Sequence, residues 1–314
     1  MARRKRKNEP PLPPRGGLGA SRARLPEPAT AYDFLCRVIE QQRHRHPRDN
    51  AKAVLQRFHD GEVVLRDGTP LAPDTLLAPG TDIFFYRRPA PETPVPFEIE
   101  TVHEDENVLI VRKPPFMATM PRAAHITETA TVRLRRATGN EELAPAHRLD
   151  RLTAGLLLFT KRREIRGAYQ DMFARRSVRK VYEAIGADTG LRPPARWEHH
   201  IAKEHGDIAA RIVEGAPVNA LTIVRDVSPL PAAPLWGEAA ARYELEPVTG
   251  KTHQLRVQMH AAGAPIVNDG VYPTVRGFGE EDFSAPMLLC AVGLSFTDPL
   301  SGENVSVSTP GYAG

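Results

Sequence analysis

The stretch His147-Arg148-Leu149-Asp150-Arg151-Leu152-Thr153-Ala154-Gly155, continuing into Leu156-Leu157-Leu158-Phe159-Thr160, decides how this chain is read. Its second half is a short apolar run of the kind a buried strand needs. Its first half carries a single carboxylate, Asp150, among basic neighbours. A turn that feeds a buried strand can project a short carboxylate into a cleft while the residues beside it pack. Alone, the stretch is ambiguous, because an aspartate in such a place is usually a solvated turn residue. It also faintly echoes a protein-kinase catalytic loop. A kinase further needs a Gly-rich phosphate loop, an upstream paired lysine and Asp-Phe-Gly, and the chain has no such set.

Outward from this stretch the periodicity alternates between strand and helix. Asn107 to Val111 reads as a buried strand stopped by Lys113-Pro114-Pro115. Ile165, Tyr169, Met172 and Phe173 mark one face of a helix within residues 163–176, ending in arginines. Residues 180–185, 242–247 and 288–296 read as strands, and 248–251 as a turn. Thr252 is the expected N-cap of a helix carrying Leu255, Met259 and Ala262, closed by Gly263 and Pro265. Upstream, Tyr32, Leu35, Val38 and Ile39, then Ala53, Leu55 and Phe58, recur at helical spacing before short strands near 62–65 and 82–86. That order is similar to an S4-like RNA-binding module over residues 29–90. Residues 1–28, basic and then rich in Pro, Gly and Arg, are expected to form a disordered basic tail. Residues 91–314 are expected to form one compact α+β domain, entered through a Pro-rich linker.

Composition sets the outer bounds. Across 314 residues, 41% hydrophobic content supports a sizeable core, and 42 Lys and Arg against 38 Asp and Glu give a net charge of +4. The basic balance, dominated by arginine, suits a polyanionic partner. It equally suits a merely solvated surface. No apolar run approaches the ~18–20 residues of a membrane span, and the basic N-terminus lacks the apolar segment of a secretory signal. Cys36 and Cys290, far apart, make neither a disulfide framework nor a Cys-x-x-Cys metal site. A reducing cytoplasm is the expected location. His199, His200 and His205 superficially suggest a metal, but no acidic or Cys ligand cluster accompanies them, so no metal is expected.

Several segments in order resemble the RluA-type family of pseudouridine synthases. Val108 to Pro114 looks like its hydrophobic strand followed by Lys-Pro, and His147 to Gly155 like its H-R-L-D-x-x-T-S-G signature. Lys180-Val181-Tyr182 resembles its K-x-Y step. Gly250 to Val257 is similar to its G-R-T-H-Q-I-R-V element, with Pro265 to Asp269 following, and Leu294-Ser295-Phe296 fits its closing strand. The likeness covers roughly residues 97–310, and it is the order of the motifs that makes it specific.

The resemblance implies a fold with a bent, mostly antiparallel mixed sheet and flanking helices. It implies a catalytic set of Asp150, Tyr182 and Arg256. Arg256 would pair with and orient the Asp150 carboxylate, and Tyr182 would stack on the extruded uracil or assist proton transfer at carbon 5. Asp150 would act either as nucleophile or as proton shuttle. Arg148 would fill the vacated base stack, and Arg151, Lys180 and His253 are expected on the RNA side of the site. His253 and His260, seven apart, are expected to share the Arg256 side of their helix. The reaction needs no metal and no organic cofactor. The partner is RNA, ribosomal favoured over transfer, with no membrane and a monomeric enzyme expected. The rival reading is an RNA-binding or ribosome-assembly factor that keeps the fold without the chemistry. The chain departs from the family pattern at Phe116, Ala154, Lys251, Cys290 and Asn268-Asp269-Gly270. None of these removes the Asp, Tyr or Arg.

Overall fold

The structure is a computed structural model, and it describes residues 10–237, 240–275 and 281–313. The chain divides into two compact units, residues 1–94 with 120–141, and residues 95–119 with 142–314.

The first unit contains β1 (Ser21–Arg24), β2 (Ala29–Thr30), α1 (Ala31–Glu40), α2 (Ala51–His59), β3 (Val63–Val64), β4 (Leu76–Leu77), β5 (Asp82–Phe85) and α3 (Ala130–Thr138). Both predicted helices form, each started by a side-chain cap. Thr30 accepts from the Asp33 N–H and Asn50 from the Ala53 N–H, each at 3.1 Å. Their apolar faces, Phe34, Leu35, Ile39, Val54 and Phe58, pack on Ile83 and Phe85. Two expectations are corrected here. Within residues 1–28, those up to 9 lie outside the described residues, but Ser21–Arg24 is a strand antiparallel to β5 rather than part of a disordered tail. Four residues are too short for a period-2 signal, and the ladder partner supplies the order. Residues 120–141, read as part of the second domain, group with the first. There Arg135 donates to the Gly17 carbonyl at 3.1 Å, and the Glu92 carboxylate accepts the N–H groups of Ile126, Thr127 and Glu128.

The second unit contains β6 (Glu100–Glu104), β7 (Val108–Lys113), β8 (Ala144–Pro145), β9 (Ala154–Thr160), α4 (Arg166–Ala174), β10 (Arg179–Ala187), β11 (Ala195–His199), β12 (Ile201–Ala202), β13 (Arg211–Ile212), β14 (Ala220–Leu230), β15 (Ala240–Pro247), α5 (Gln254–Ala261), β16 (Leu289–Thr297) and β17 (Asn304–Ser308). A 10-stranded sheet runs β11-β14-β15-β10-β16-β9-β7-β6, with β17 on β16 and β8 on β9. Every pair is antiparallel except β16 with β9, so the sheet is mixed and mostly antiparallel, as expected. The parallel contact joins Gly155 to Ala291. Gly155 has φ +107°, and a β-carbon there would overlap the Ala291 backbone, so this close approach requires glycine. β9 is buried along its whole length. Helix α4 lays Tyr169 and Met172 against Leu156, Leu158 and Phe296, and α5 lays Leu255 and Met259 against Tyr243 and Leu289. Helix α5 is not capped by Thr252. Its N-cap is His253, in the left-handed region at φ +57° with no side-chain cap bond. Among the described residues no helix is long and apolar enough to cross a membrane.

Candidate active site

Asp150 stands in the turn between β8 and β9, and the backbone on both sides of it is pinned. Thr119 Oγ1 donates to the Leu149 carbonyl at 2.8 Å and accepts the Leu149 N–H at 3.1 Å. The Thr153 N–H donates to the Asp150 carbonyl at 3.1 Å. The Lys113 ammonium is fully buried and donates to the carbonyls of Pro114 (2.7 Å), Met117 (2.8 Å) and Arg151 (3.2 Å). Burial pulls the Lys113 pKa down to about 7, with the Asp150 charge pulling the other way. Held at this turn, the Asp150 side chain retains 22% exposure.

Arg256, in the first turn of α5, faces Asp150. Its Nη1 donates to Asp150 Oδ2 at 3.4 Å. Its tighter partner is Asp269, whose carboxylate accepts from Nε and Nη2, both at 2.7 Å. Both members of this pair are buried, and Asp269 also accepts the Val271 N–H at 2.8 Å. Burial alone would lower the Arg256 pKa, but the bonds and charge of Asp269, with Asp150 behind them, hold it above its usual value. The guanidinium is thus clamped in a bidentate fork and presents one remaining nitrogen to Asp150.

Tyr182 lies on β10 opposite Leu245 and Ala291. Burial, and then the Asp150 charge, push its phenol well above the usual range, so it stays protonated at neutral pH and can donate. His253 brings Nε2 to 3.8 Å from Asp150 Oδ2, and burial pulls its pKa down to about 4 against the Asp150 charge. As expected, His253 and His260 share a side with Arg256. The rings of His253 and His260 and the Arg256 guanidinium lie 5.9, 6.1 and 5.6 Å from the Tyr272 ring centre.

These groups open onto a cavity of about 400 Å³. Asp150, Tyr182, Arg256, Arg148, Lys180 and His253 all line it, and Arg176 and Lys251 add positive charge. The predicted RNA-side residue Arg151 is placed differently. It is absent from the cavity wall, and its guanidinium is paired with Glu281 and donates to the Phe116 carbonyl at 3.3 Å. Motif reading assigned no role to Asp269, Lys113 or Thr119. Asp269 and Lys113 stand inside quoted motifs, whereas Thr119 carries no sequence signal. Gln254 was also missed. Its side-chain oxygen accepts the Lys251 N–H (3.0 Å) and the Thr249 hydroxyl (2.7 Å), fixing the cavity wall. The histidines weighed as metal ligands point elsewhere: His199 Nδ1 meets Gln258 Nε2 at 3.2 Å and His200 Nδ1 meets the Pro217 carbonyl at 2.6 Å. Among the described residues no three His, Cys, Asp or Glu side chains are grouped to hold a metal.

The sequence profile of the RNA pseudouridylate synthase family matches residues 107–261, the span that carries Asp150, Tyr182 and Arg256. The chain is 29% identical over 268 residues to ribosomal large subunit pseudouridine synthase D of Neisseria meningitidis, covering 80% of this chain and 69% of that one. It is 32% identical over 215 residues to the dual-specificity RNA pseudouridine synthase RluA of Vibrio vulnificus, covering 64% of this chain and 79% of that one. Among solved structures it resembles human RNA pseudouridylate synthase domain containing 1 at 26% identity and a TM-score of 0.55, covering 70% and 86% of the two chains. The ordered motifs, the mixed sheet and these likenesses converge: the chain belongs to the RluA-type family of pseudouridine synthases and is an RNA-modifying isomerase.

Proposed function

We propose that this enzyme isomerises specific uridines in structured RNA by drawing the base out of its stack into the 400 Å³ cavity, where Asp150 is the catalytic carboxylate. The carbon–nitrogen glycosidic bond breaks, the uracil turns, and carbon 5 bonds to the sugar. The proton displaced from carbon 5 is balanced by one taken up at the freed nitrogen. The observation that carries this reading is the Asp150–Arg256–Asp269 arrangement. It leaves one carboxylate partly open to the cavity and locks the arginine that orients it. Tyr182 supplies a ring for stacking and a retained hydroxyl proton. Arg148, exposed at the mouth, fills the vacated stack, while Lys180, Arg176 and Lys251 meet phosphates.

The relatives' names span ribosomal RNA and transfer RNA substrates. We assign ribosomal RNA to this chain because the helix pair and short strands of residues 29–90 are similar in order to an S4-like module, which would add a second RNA contact. A cytoplasmic monomer without metal or organic cofactor completes the assignment. Pseudouridine maps of total RNA from cells carrying wild-type or Asp150→Asn enzyme test it. The expected result is loss of one or a few sites while RNA binding persists. If no pseudouridine depends on Asp150, the chain is an RNA-binding or ribosome-assembly factor and the reading falls.

A further inference from the structure

Beyond β17 the chain continues into residues 309–313, of which Thr309, Pro310, Gly311 and Ala313 line a second hollow with Val181 and Glu183, on the face of β10 opposite Lys180 and Tyr182. The β10–β16 register shifts beside the active-site tyrosine. Val181 faces Gly293 while Tyr182 faces Ala291, so Val292 is the extra residue of a β-bulge. Bulges re-aim a neighbouring side chain, and here that neighbour is Tyr182. The Val292 carbonyl accepts the Thr309 N–H at 3.0 Å. On the adjoining strand Glu183, only 6% exposed, accepts the backbone N–H groups of Tyr312 and Ala313. Gly311 presses so close to this carboxylate that a β-carbon would overlap it. Between the two grips, the Cys290 thiol, opposite Glu183 in the ladder, reaches the Pro310 carbonyl at 3.8 Å. Tyr312 and Ala313 then pack against Ile185, Ala240 and Leu288.

We propose that residues 309–313 form a strap that positions Tyr182, with Glu183 and Gly311 as its positioning residues. The strap holds β16 at its bulge and β10 one residue beyond Tyr182, so it sets the height of the ring at the cavity. A segment that merely covered the sheet edge would not call for a buried carboxylate, which is costly to desolvate unless its bonds have a purpose. Nor would it call for a glycine seated so close to that carboxylate that a β-carbon would have to displace it. The proposal rests on the reading that Tyr182 serves the reaction.

The test uses the full chain and ribosomal RNA purified from cells lacking the gene and labelled with 5-tritiated uridine, which loses tritium on isomerisation. Gly311→Ala and Glu183→Ala are expected to lower kcat about tenfold while KM stays within about twofold, because the ring is misplaced and RNA contacts are not. Glu183→Gln, keeping one acceptor oxygen, is expected to recover most of that loss. In a Tyr182→Leu background, which removes the ring, Gly311→Ala is expected to cost less than about twofold, since the strap acts through that ring. With 3-fluorotyrosine at position 182, the fluorine resonance is expected to move between wild type and Gly311→Ala. An unmoved resonance with unchanged kcat overturns the strap, as does a full tenfold penalty recurring without the Tyr182 ring. If Gly311→Ala does not fold, a chain ended after Thr309 carries the same comparisons. If wild-type enzyme releases no tritium, the functional reading fails, and the fluorine signal alone decides the strap.

Discussion

At the scale of single residues, Arg256 is bound more tightly to Asp269 than to Asp150, the carboxylate proposed to act on the uridine. Asp269 takes two of the Arg256 donors at 2.7 Å and leaves Asp150 a contact at 3.4 Å. Asp269→Ala strands a buried guanidinium, and urea denaturation is expected to show a loss of about 3 kcal/mol, the cost of breaking a buried pair. Turnover should fall with it, because Arg256 is then free to turn. His147 offers a pH test. Its Nε2 accepts the Leu158 N–H at 3.1 Å, its ring stacks on Phe173, and burial, then Lys180, hold its pKa at about 3. Since the folded-state pKa lies below the unfolded value, the unfolded chain binds more protons between the two. The stability contributed by neutral His147 is therefore complete above pH ~6.5 and lost as pH falls toward 3. Denaturation at pH 6.5 and at pH 5 should differ by about 2 kcal/mol more in wild type than in His147→Gln.

At the scale of elements, the site depends on one close contact between strands. Gly155 lets β9 and β16 meet in parallel at the end where Asp150 enters and Tyr182 stands one strand away. Gly155→Ala must both leave φ +107° and push the Ala291 backbone aside. A loss above about 2 kcal/mol and a collapse of activity are expected, read by thermal midpoint and tritium release. Phe116 shows the opposite solution. It occupies φ +65° without being glycine, and its ring sits between Phe97 at 6.2 Å and Phe283 at 5.2 Å. Packing there offsets a backbone conformation that the residue type disfavours.

At the scale of the whole molecule, a net charge of +4 conceals a local concentration of cations around an acidic site. Arg148, Arg176, Lys180 and Lys251 line one cavity, whereas Arg151 is paired with Glu281 and Arg179 shares Glu246 with Arg225. RNA affinity should weaken with salt, and Lys180→Ala should reduce the slope of log affinity against log salt by about 0.7–0.9. Arg179→Ala should leave that slope unchanged. Equilibrium binding across a salt series checks both.

The sequence by itself determined the strands and helices with clear periods and the mixed α and β class, and it singled out Asp150, Tyr182 and Arg256, which meet at one cavity. Each of these is written locally, as an apolar run, a helical face or an ordered motif. Tertiary structure alone decided that Ser21–Arg24 is a strand, because its signal lies in the partner β5. It alone moved the start of α5 to His253 and gave residues 120–141 to the first unit. It also revealed the residues that brace the site. Thr119 pins Leu149 from 30 residues away, Lys113 reaches Arg151 across 38, and Glu183 holds a segment about 130 residues downstream. Such contacts leave no period in the chain, because hydrogen-bond complementarity between distant backbone groups depends on where the strands meet and not on the identity of near neighbours. Asp150 is legible in one line of sequence; what keeps it in place is not.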